Sequence, residues 1–154
     1  MKIQFITSIA VLMMVSAALA APAIGEENAV ELNWLTDLTE AQQLATENGK
    51  PILVNFTGSD WCKWCITLDK EVFSQQEFID YATENLIMVK LDFPRRTAQP
   101  QEVKDRNQHY ASQYKIRGFP TIMLLEENGD VIAQTGYQRG GATAYVSHLE
   151  SLLP

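Results

Sequence analysis

The sequence predicts an α/β domain: a central mixed β-sheet flanked by helices on both faces. Three observations carry this. Two short apolar runs, Pro51 to Phe56 and Leu86 to Asp92, read as buried strands. Segments with apolar residues at helical spacing precede, separate and follow them. Near the C-terminus, Thr121 to Leu125 and Asp130 to Thr135 flank Asn128-Gly129, a pair suited to a tight turn at positive φ, so these two strands form a hairpin.

Taken in order, residues 1–20 read as a signal peptide. Met1-Lys2 gives a short positive start, Ile3 to Leu19 is mostly apolar, and Ala18-Leu19-Ala20 offers small residues for cleavage. An uncleaved anchor is the alternative, since the run is nearly long enough to span a bilayer. Gln4, Thr7, Ser8 and Ser16 interrupt its apolar character, and the Ala-x-Ala site favours cleavage. Residues 21–33 form a polar, weakly patterned, flexible leader, and 34–154 form the folded domain. A helix is expected from about Thr36 to Asn48, with Leu38, Ala41, Leu44 and Ala45 on one face and Gly49 as its stop. After the first strand, a helix should start near Cys62 and run to about Val72. Ser74 is placed to cap another through Thr83, with Phe78, Ile79 and Ala82 facing inward. Phe93 to Gln101 follows the second strand as a loop. Glu102 to Tyr114 reads as a helix with an unusually polar face. Ala142 to Leu153 closes the chain, with Ala144, Tyr145, Leu149, Leu152 and Leu153 available to the core.

Nineteen acidic side chains against twelve basic ones give a net charge of −7, which argues against nucleic acid as a partner because phosphate binding needs clustered Lys and Arg. Arg95-Arg96 is a local basic spot, read as a solvated loop. The two cysteines of the chain, Cys62 and Cys65, stand three apart immediately after a strand and its loop. In an exported chain cysteines usually bridge distant elements, whereas this pair closes almost no loop and adds little stability. The layout favours redox chemistry instead. A helix N-terminus lowers the pKa of the first thiol, and the second sits one turn on, close enough to attack a mixed disulfide formed by the first. Half a zinc site is the competing reading, but zinc needs four ligands and the remaining soft candidates, His109 and His148, are far away in sequence. No metal is assigned.

Trp61-Cys62-Lys63-Trp64-Cys65 after a strand, then Tyr114-Lys115-Ile116-Arg117-Gly118-Phe119-Pro120-Thr121, then the hairpin Leu124 to Val131, resemble the thioredoxin superfamily in order and separation. The resemblance runs from about Trp34 to the C-terminus. The loop Thr57-Gly58-Ser59-Asp60 is one residue longer than in cytosolic thioredoxin, and more similar to exported thioredoxin-like proteins and to the C-terminal domain of the membrane reductant conveyor DsbD. The resemblance implies a thioredoxin-like fold. It also implies a nucleophile at Cys62, favoured as thiolate by the adjacent Lys63, and a more buried resolving thiol at Cys65. Pro120 matches the family's cis-proline beside the sulfurs, and Phe119 would line the substrate groove or simply pack in the core.

Trp61 is expected to pack beside Cys62 and shield it. Trp64 stands where thioredoxin has one of a small-plus-proline pair; it offers an apolar contact for partners, or is half covered by the 93–101 loop. Asn55 occupies the position of thioredoxin's buried aspartate. Asn does not titrate, so the proton of the resolving thiol needs another outlet, such as water, Asp60 or Asp69. Lys90 matches the family's buried lysine and lacks its carboxylate partner; it either raises the potential at the cysteines or points to solvent.

The function these readings converge on is an exported thiol–disulfide oxidoreductase, bacterial and periplasmic. It would need no cofactor, act on exported proteins carrying disulfides or thiols, and be recharged by a DsbD-type membrane electron donor. Reduction of protein disulfides is the favoured direction. The alternatives are a disulfide oxidase or isomerase of the same fold, a non-redox peptide-binding module, and a metal-handling thiol pair.

Overall fold

The computed structural model describes residues 31–154. The segment expected to be a signal peptide, 1–20, and the expected leader, 21–33, except its last three residues, lie outside the described residues. The elements run α1 (Leu38–Asn48), β1 (Ile52–Thr57), α2 (Lys63–Leu68), a π-helical turn (Asp69–Phe73), α3 (Gln76–Asn85), β2 (Ile87–Asp92), α4 (Gln101–Gln113), β3 (Thr121–Leu125), β4 (Val131–Thr135) and α5 (Gly141–Leu152). The four strands lie in the order β2-β1-β3-β4. β1 and β2 are parallel, and β3 is antiparallel to both β1 and β4, which makes the sheet mixed as expected.

Every residue of β1 is buried, because helices cover both faces of the sheet. Its alternation sorts the core in two. Leu53 joins Leu68, Phe73, Phe78, Ile122, Leu124, Tyr145 and Leu149 under α2, α3 and α5. Val54 and Phe56 join Leu38, Ala41, Leu91, Ala111 and Met123 under α1 and α4. Leu32 and Trp34 pack against the first cluster.

Helix ends follow local chemistry where a cap exists. Asp37 caps α1 by accepting from Thr39 N–H at 2.8 Å, so the helix starts at Leu38 rather than Thr36. Gly49 stops it in the left-handed region, at φ 65°. The helix expected over 62–72 is not one regular helix. After Leu68 the chain widens by one residue, the Ser74 N–H reaching the Asp69 carbonyl at 2.9 Å, and both Val72 and Phe73 turn into the core. Ser74 is therefore used in closing that turn and does not cap α3. Gln75 takes the N-cap position without a side-chain bond, and α3 continues to Asn85. In α5 the buried alanine is Ala142, and Ala144 is exposed. Helical rotation puts 142, 145 and 149 on one face and leaves 144 outside it. The polar face of α4 has a structural reason: buried Asn107 donates to the Asp92 carbonyl at 2.9 Å, and Arg106 pairs with Asp37 at 3.1 Å.

Candidate active site

The site is built at the C-terminal end of β1, where the chain turns through Gly58–Trp61 into α2. Gly58 is needed there: a Cβ would lie 2.5 Å from the Trp61 ring. Three contacts fix the turn. Cys62 N–H donates to the Gly58 carbonyl at 2.9 Å. Asp92, the last residue of β2, accepts from Ser59 N–H at 2.9 Å and from its hydroxyl at 2.6 Å. Asp60 accepts from the N–H groups of Arg95, Arg96 and Thr97 at 2.8–2.9 Å. Those backbone donors, Arg95 first, hold the Asp60 carboxyl down at about 2, against partial desolvation that pushes it up.

Trp61 locks the same loop from above. Its indole N–H donates to the Phe93 carbonyl at 2.8 Å, and the Arg95 guanidinium lies 3.5 Å from its ring centroid. Arg95 is thus part of the site's scaffold and not merely a solvated loop residue. The Trp61 ring meets Phe119 edge-on at 5.9 Å, and Phe119 also packs on Phe93 at 5.0 Å. The Phe119–Pro120 bond is cis.

Cys62 is the N-cap of α2, and Cys62 and Cys65 are joined by a disulfide with Cα atoms 5.2 Å apart. The Cys62 sulfur accepts from Cys65 N–H at 3.2 Å, and the Cys65 sulfur faces Gly58 N–H at 3.5 Å. Both are nearly closed to solvent, 6% and 4% exposed, so the second is the more buried only by a small margin. Lys63 is exposed beside them. Trp64 is 48% exposed and lies against Tyr137, with ring centroids 5.1 Å apart. Tyr137 is the aromatic neighbour that covers it. The Tyr137 hydroxyl is itself held by Glu71 at 2.6 Å, and that bond raises its pKa.

Beneath Cys65 lies a cavity of about 140 Å³, lined by Asn55, Thr57, Ser59, Ile66, Asp69 and Lys90 as well as the cysteine. Asn55 is 3% exposed, and its side-chain oxygen has no hydrogen-bond partner. The Lys90 ammonium lies 5.3 Å from the Trp34 ring. Of the two acids offered as proton outlets, Asp69 faces this cavity while Asp60 is occupied by the loop. A larger cavity of about 610 Å³ opens at the other end of β1, around Lys50, Tyr81 and Glu126, and has no cysteine in its walls. His109 lies against Tyr110, His148 bonds the Thr135 hydroxyl at 2.8 Å, and neither approaches the sulfurs' surroundings. Among the described residues, no group of three His, Cys, Asp or Glu side chains is placed to hold a metal ion.

Sequence reasoning brought together Cys62, Cys65, Trp61, Asn55, Lys90, Phe119 and Pro120. It missed Asp92, Asn107 and Tyr137, which act across separations of 33, 15 and 66 residues from the groups they bond. No local pattern marks such pairings.

A family model described as a thioredoxin-like domain matches residues 38–150. The disulfide bond reductase DsbH of Chlamydia pneumoniae is 39% identical over 125 residues, covering 81% of this chain and 75% of the relative. The thioredoxin-related protein DsbJ of the same organism is 29% identical over 127 residues, and there the chain spans 36% of the relative's length. The thiol:disulfide interchange protein DsbD of Campylobacter jejuni is 23% identical over 111 residues, and the chain spans 18% of it. A solved structure of DsbH oxidoreductase superposes with a TM-score of 0.77 at 36% identity, covering 87% of this chain and 94% of that one. A Thermus thermophilus thioredoxin, with a TM-score of 0.58 at 18% identity, shares the fold. The disulfide-linked Cys-x-x-Cys pair at the head of α2 and these matches agree: the chain belongs to the thioredoxin-like family and is a thiol–disulfide oxidoreductase.

Proposed function

We propose that this protein works in the reducing direction, as an exported reductase of protein disulfides. The observation that carries the reading is the geometry at the head of α2. Cys62 caps the helix, with a backbone N–H aimed at its sulfur, and Cys65 is placed one turn on to displace whatever Cys62 has bound. The resemblance to a relative named as a disulfide bond reductase supports the direction.

The reaction starts from the dithiol. The Cys62 thiolate attacks one sulfur of a substrate disulfide; a mixed disulfide forms and the other substrate sulfur leaves as thiolate. Cys65, deprotonated, then attacks the Cys62 sulfur. This forms the Cys62–Cys65 disulfide and releases the second substrate thiolate. Two electrons pass from protein to substrate, and an external dithiol donor must return them.

Phe119, edge-on to the Trp61 ring, and the exposed Trp64 between the two cysteines are the apolar contacts offered to the substrate chain. Trp61, Lys63, Asn55 and Lys90 tune the pair, and Pro120 sits with Phe119 on the substrate side. Export rests on the Met1–Ala20 segment, with its positive start, apolar run and Ala-x-Ala end. The periplasm is the compartment proposed. The likeness to part of DsbD supports a membrane electron donor of that type.

The test uses Cys65→Ser, which removes the resolving thiol and leaves the nucleophile. In a periplasmic extract this variant should accumulate mixed disulfides with exported proteins, while Cys62→Ser accumulates none. Equal trapping by both variants, or by neither, would overturn the assignment.

A further inference from the structure

The chain as a whole is acidic, with a net charge of −7, but the fold does not spread its charges evenly. We propose that Arg95, Arg96, Arg117 and Arg139 form a cationic rim around the cysteine pair, which selects protein disulfides flanked by acidic side chains. This rests on the reading of Cys62 and Cys65 as the pair that exchanges with protein disulfides, and it names the class of substrate they meet.

Topology gathers the rim. β1, β2 and β4 run parallel to one another and β3 runs against them, so the C-terminal ends of those three strands and the start of β3 share one end of the sheet. Segments 58–62, 93–100, 114–120 and 136–140 meet there, with Cys62 among them. Together they hold Arg95, Arg96, Lys115, Arg117 and Arg139 against the single acid Asp60. The neighbouring helices add no net charge. On α4, Glu102 and Asp105 are matched by Lys104 and Arg106; across α2 and the π-turn, Asp69 and Glu71 are matched by Lys63 and Lys70. Asp92, at the end of β2, is matched by Lys90 on the same strand. The opposite end of the sheet has the reverse sign. Its turn carries Glu126, Glu127 and Asp130, all exposed, and Glu84 joins the first two in the wall of the large cavity. Lys50, the cation in that wall, is turned onto the Thr83 carbonyl at 3.2 Å.

Contacts tie the arginines to the aromatic residues beside the sulfurs. The Arg95 guanidinium lies 3.5 Å from the ring centroid of Trp61, the residue before Cys62. Arg96 follows it, with its backbone N–H held by Asp60 at 2.8 Å. Arg117 comes two residues before Phe119, whose ring meets Trp61 and Phe93. Arg139 comes two residues after Tyr137, whose ring lies 5.1 Å from that of Trp64, between the cysteines. All four arginines are exposed, and the one salt bridge among the described residues, Arg106 to Asp37, uses none of them. Lys115 stands outside the rim, because Tyr114 beside it reaches the Gly129 carbonyl, toward the acidic end. Asp60, the acid within the rim, is turned onto three backbone N–H groups, whose dipoles offset part of its charge.

The chemistry of the rim fixes its occupant. A guanidinium presents paired donors that match a carboxylate. Whatever reaches Cys62 must bring a sulfur to exchange, so the anion belongs to a chain that carries the disulfide. A flat lipid surface laid across the rim would cover the sulfurs instead. At physiological salt, charges more than about 8 Å away are largely screened, so a partner at contact senses the rim rather than the net charge of the chain. Such charges act chiefly on the rate of productive encounter.

The test uses peptides of one length, each closed by one disulfide and flanked on both sides of the bridge by Glu, Gln or Lys. The dithiol protein reduces each, and the rate is expressed relative to that for hydroxyethyl disulfide, a small neutral substrate. At low salt the Glu peptide should react about tenfold faster than the Lys peptide, with the Gln peptide between them. Tenfold corresponds to about 1.4 kcal/mol, the contribution of two or three exposed ion pairs. The ratio should fall to about twofold in about 0.5 M salt, where screening acts within a few ångström. Combining Arg96→Gln, Arg117→Gln and Arg139→Gln should bring it to about twofold at low salt as well; Arg95 is kept because it seats on Trp61. Equal rates for the Glu and Lys peptides at low salt, or a tenfold ratio that survives the three substitutions, overturns the proposal. Should the combined variant fail to fold, the salt dependence of the unaltered protein decides, and a ratio indifferent to salt counts against the rim. Sedimentation with vesicles of about one-third phosphatidylglycerol, lost in the combined variant and accompanied by no peptide preference, would make the rim a membrane contact and also overturns it. Failure of the underlying reading looks different: the dithiol protein would reduce none of the peptides. The disulfide form acting on the dithiol peptides then yields the same rate ratio in the oxidising direction, and equal rates there overturn the rim too.

Discussion

Trp61→Phe isolates the strap that ties the 93–101 loop to the turn before α2. The substitution keeps an aromatic ring facing Phe119 but deletes the indole N–H that bonds the Phe93 carbonyl, and it weakens the seat of the Arg95 guanidinium. The lost hydrogen bond is worth about 0.5–1.5 kcal/mol. The weakened cation–π contact, at an exposed arginine, adds up to about 0.5 kcal/mol because a phenyl ring keeps part of it. Together they come to about 0.5–2 kcal/mol. For a domain of this length, that lowers the melting temperature by about 2–8 °C. The sharper readout is local. The amides of Arg95, Arg96 and Thr97 are bonded to Asp60 on the neighbouring residue. If Trp61 holds the 93–101 loop shut, their hydrogen exchange should accelerate about twofold to thirtyfold, while core amides of β1 speed only as far as global stability falls. A fall in melting temperature with unchanged protection at residues 95–97 would refute the strap and make Trp61 an ordinary packing residue.

Acid should loosen the same loop. Asp60 titrates at about 2 when folded and at 3.8 as its reference value, so its contribution is fully present above pH 3.8 and is lost as the pH falls toward 2. Protection of the 95–97 amides should therefore drop between pH 4 and 2, and Asp60→Asn should abolish that pH dependence; an unchanged profile in the variant removes Asp60 from the account. Leu124→Ala should cost about 2–5 kcal/mol by denaturant unfolding, since Leu124 is fully buried in the central strand β3 between the sheet and α5; a cost below about 1 kcal/mol contradicts the core described. Trp64→Ala should leave stability nearly unchanged, because the indole is 48% exposed, yet slow exchange with a protein disulfide several-fold more than exchange with a small one. Equal slowing for both substrates contradicts its role as a protein contact.

Much of this molecule could be read from local chemistry. The hairpin at Asn128-Gly129 begins and ends as its turn residues dictate, with Gly129 at φ 89°. Continuous apolar runs gave β1 and β2 because helices bury both sheet faces, and period-2 alternation would have been the wrong signal. Cys62 and Cys65 were legible because their chemistry depends on spacing along one helix turn. What stayed hidden acts through tertiary bonds. The π-turn at Asp69–Phe73 arises because Val72 and Phe73 both find core, a demand no sequence window contains. Asp92 looks like the polar end of a strand, and only the fold brings it to Ser59. Arg95 looks like a solvated loop residue until Asp60 and Trp61 are seen to hold it. Lys90 had two readings, field source or solvent-facing charge; the fold half-buries it beside Asn55 and sets its ammonium 5.3 Å from the Trp34 ring, a contact no sequence pattern marks.

The reduction potential of the Cys62–Cys65 pair, measured in thiol redox buffers by the fluorescence of Trp61 and Trp64, tests the central claim most directly. A reductase fed by an electron donor requires a potential near that of thioredoxin, about −270 mV. A potential near that of DsbA, about −120 mV, would make the protein an oxidant of exported chains and contradict the account.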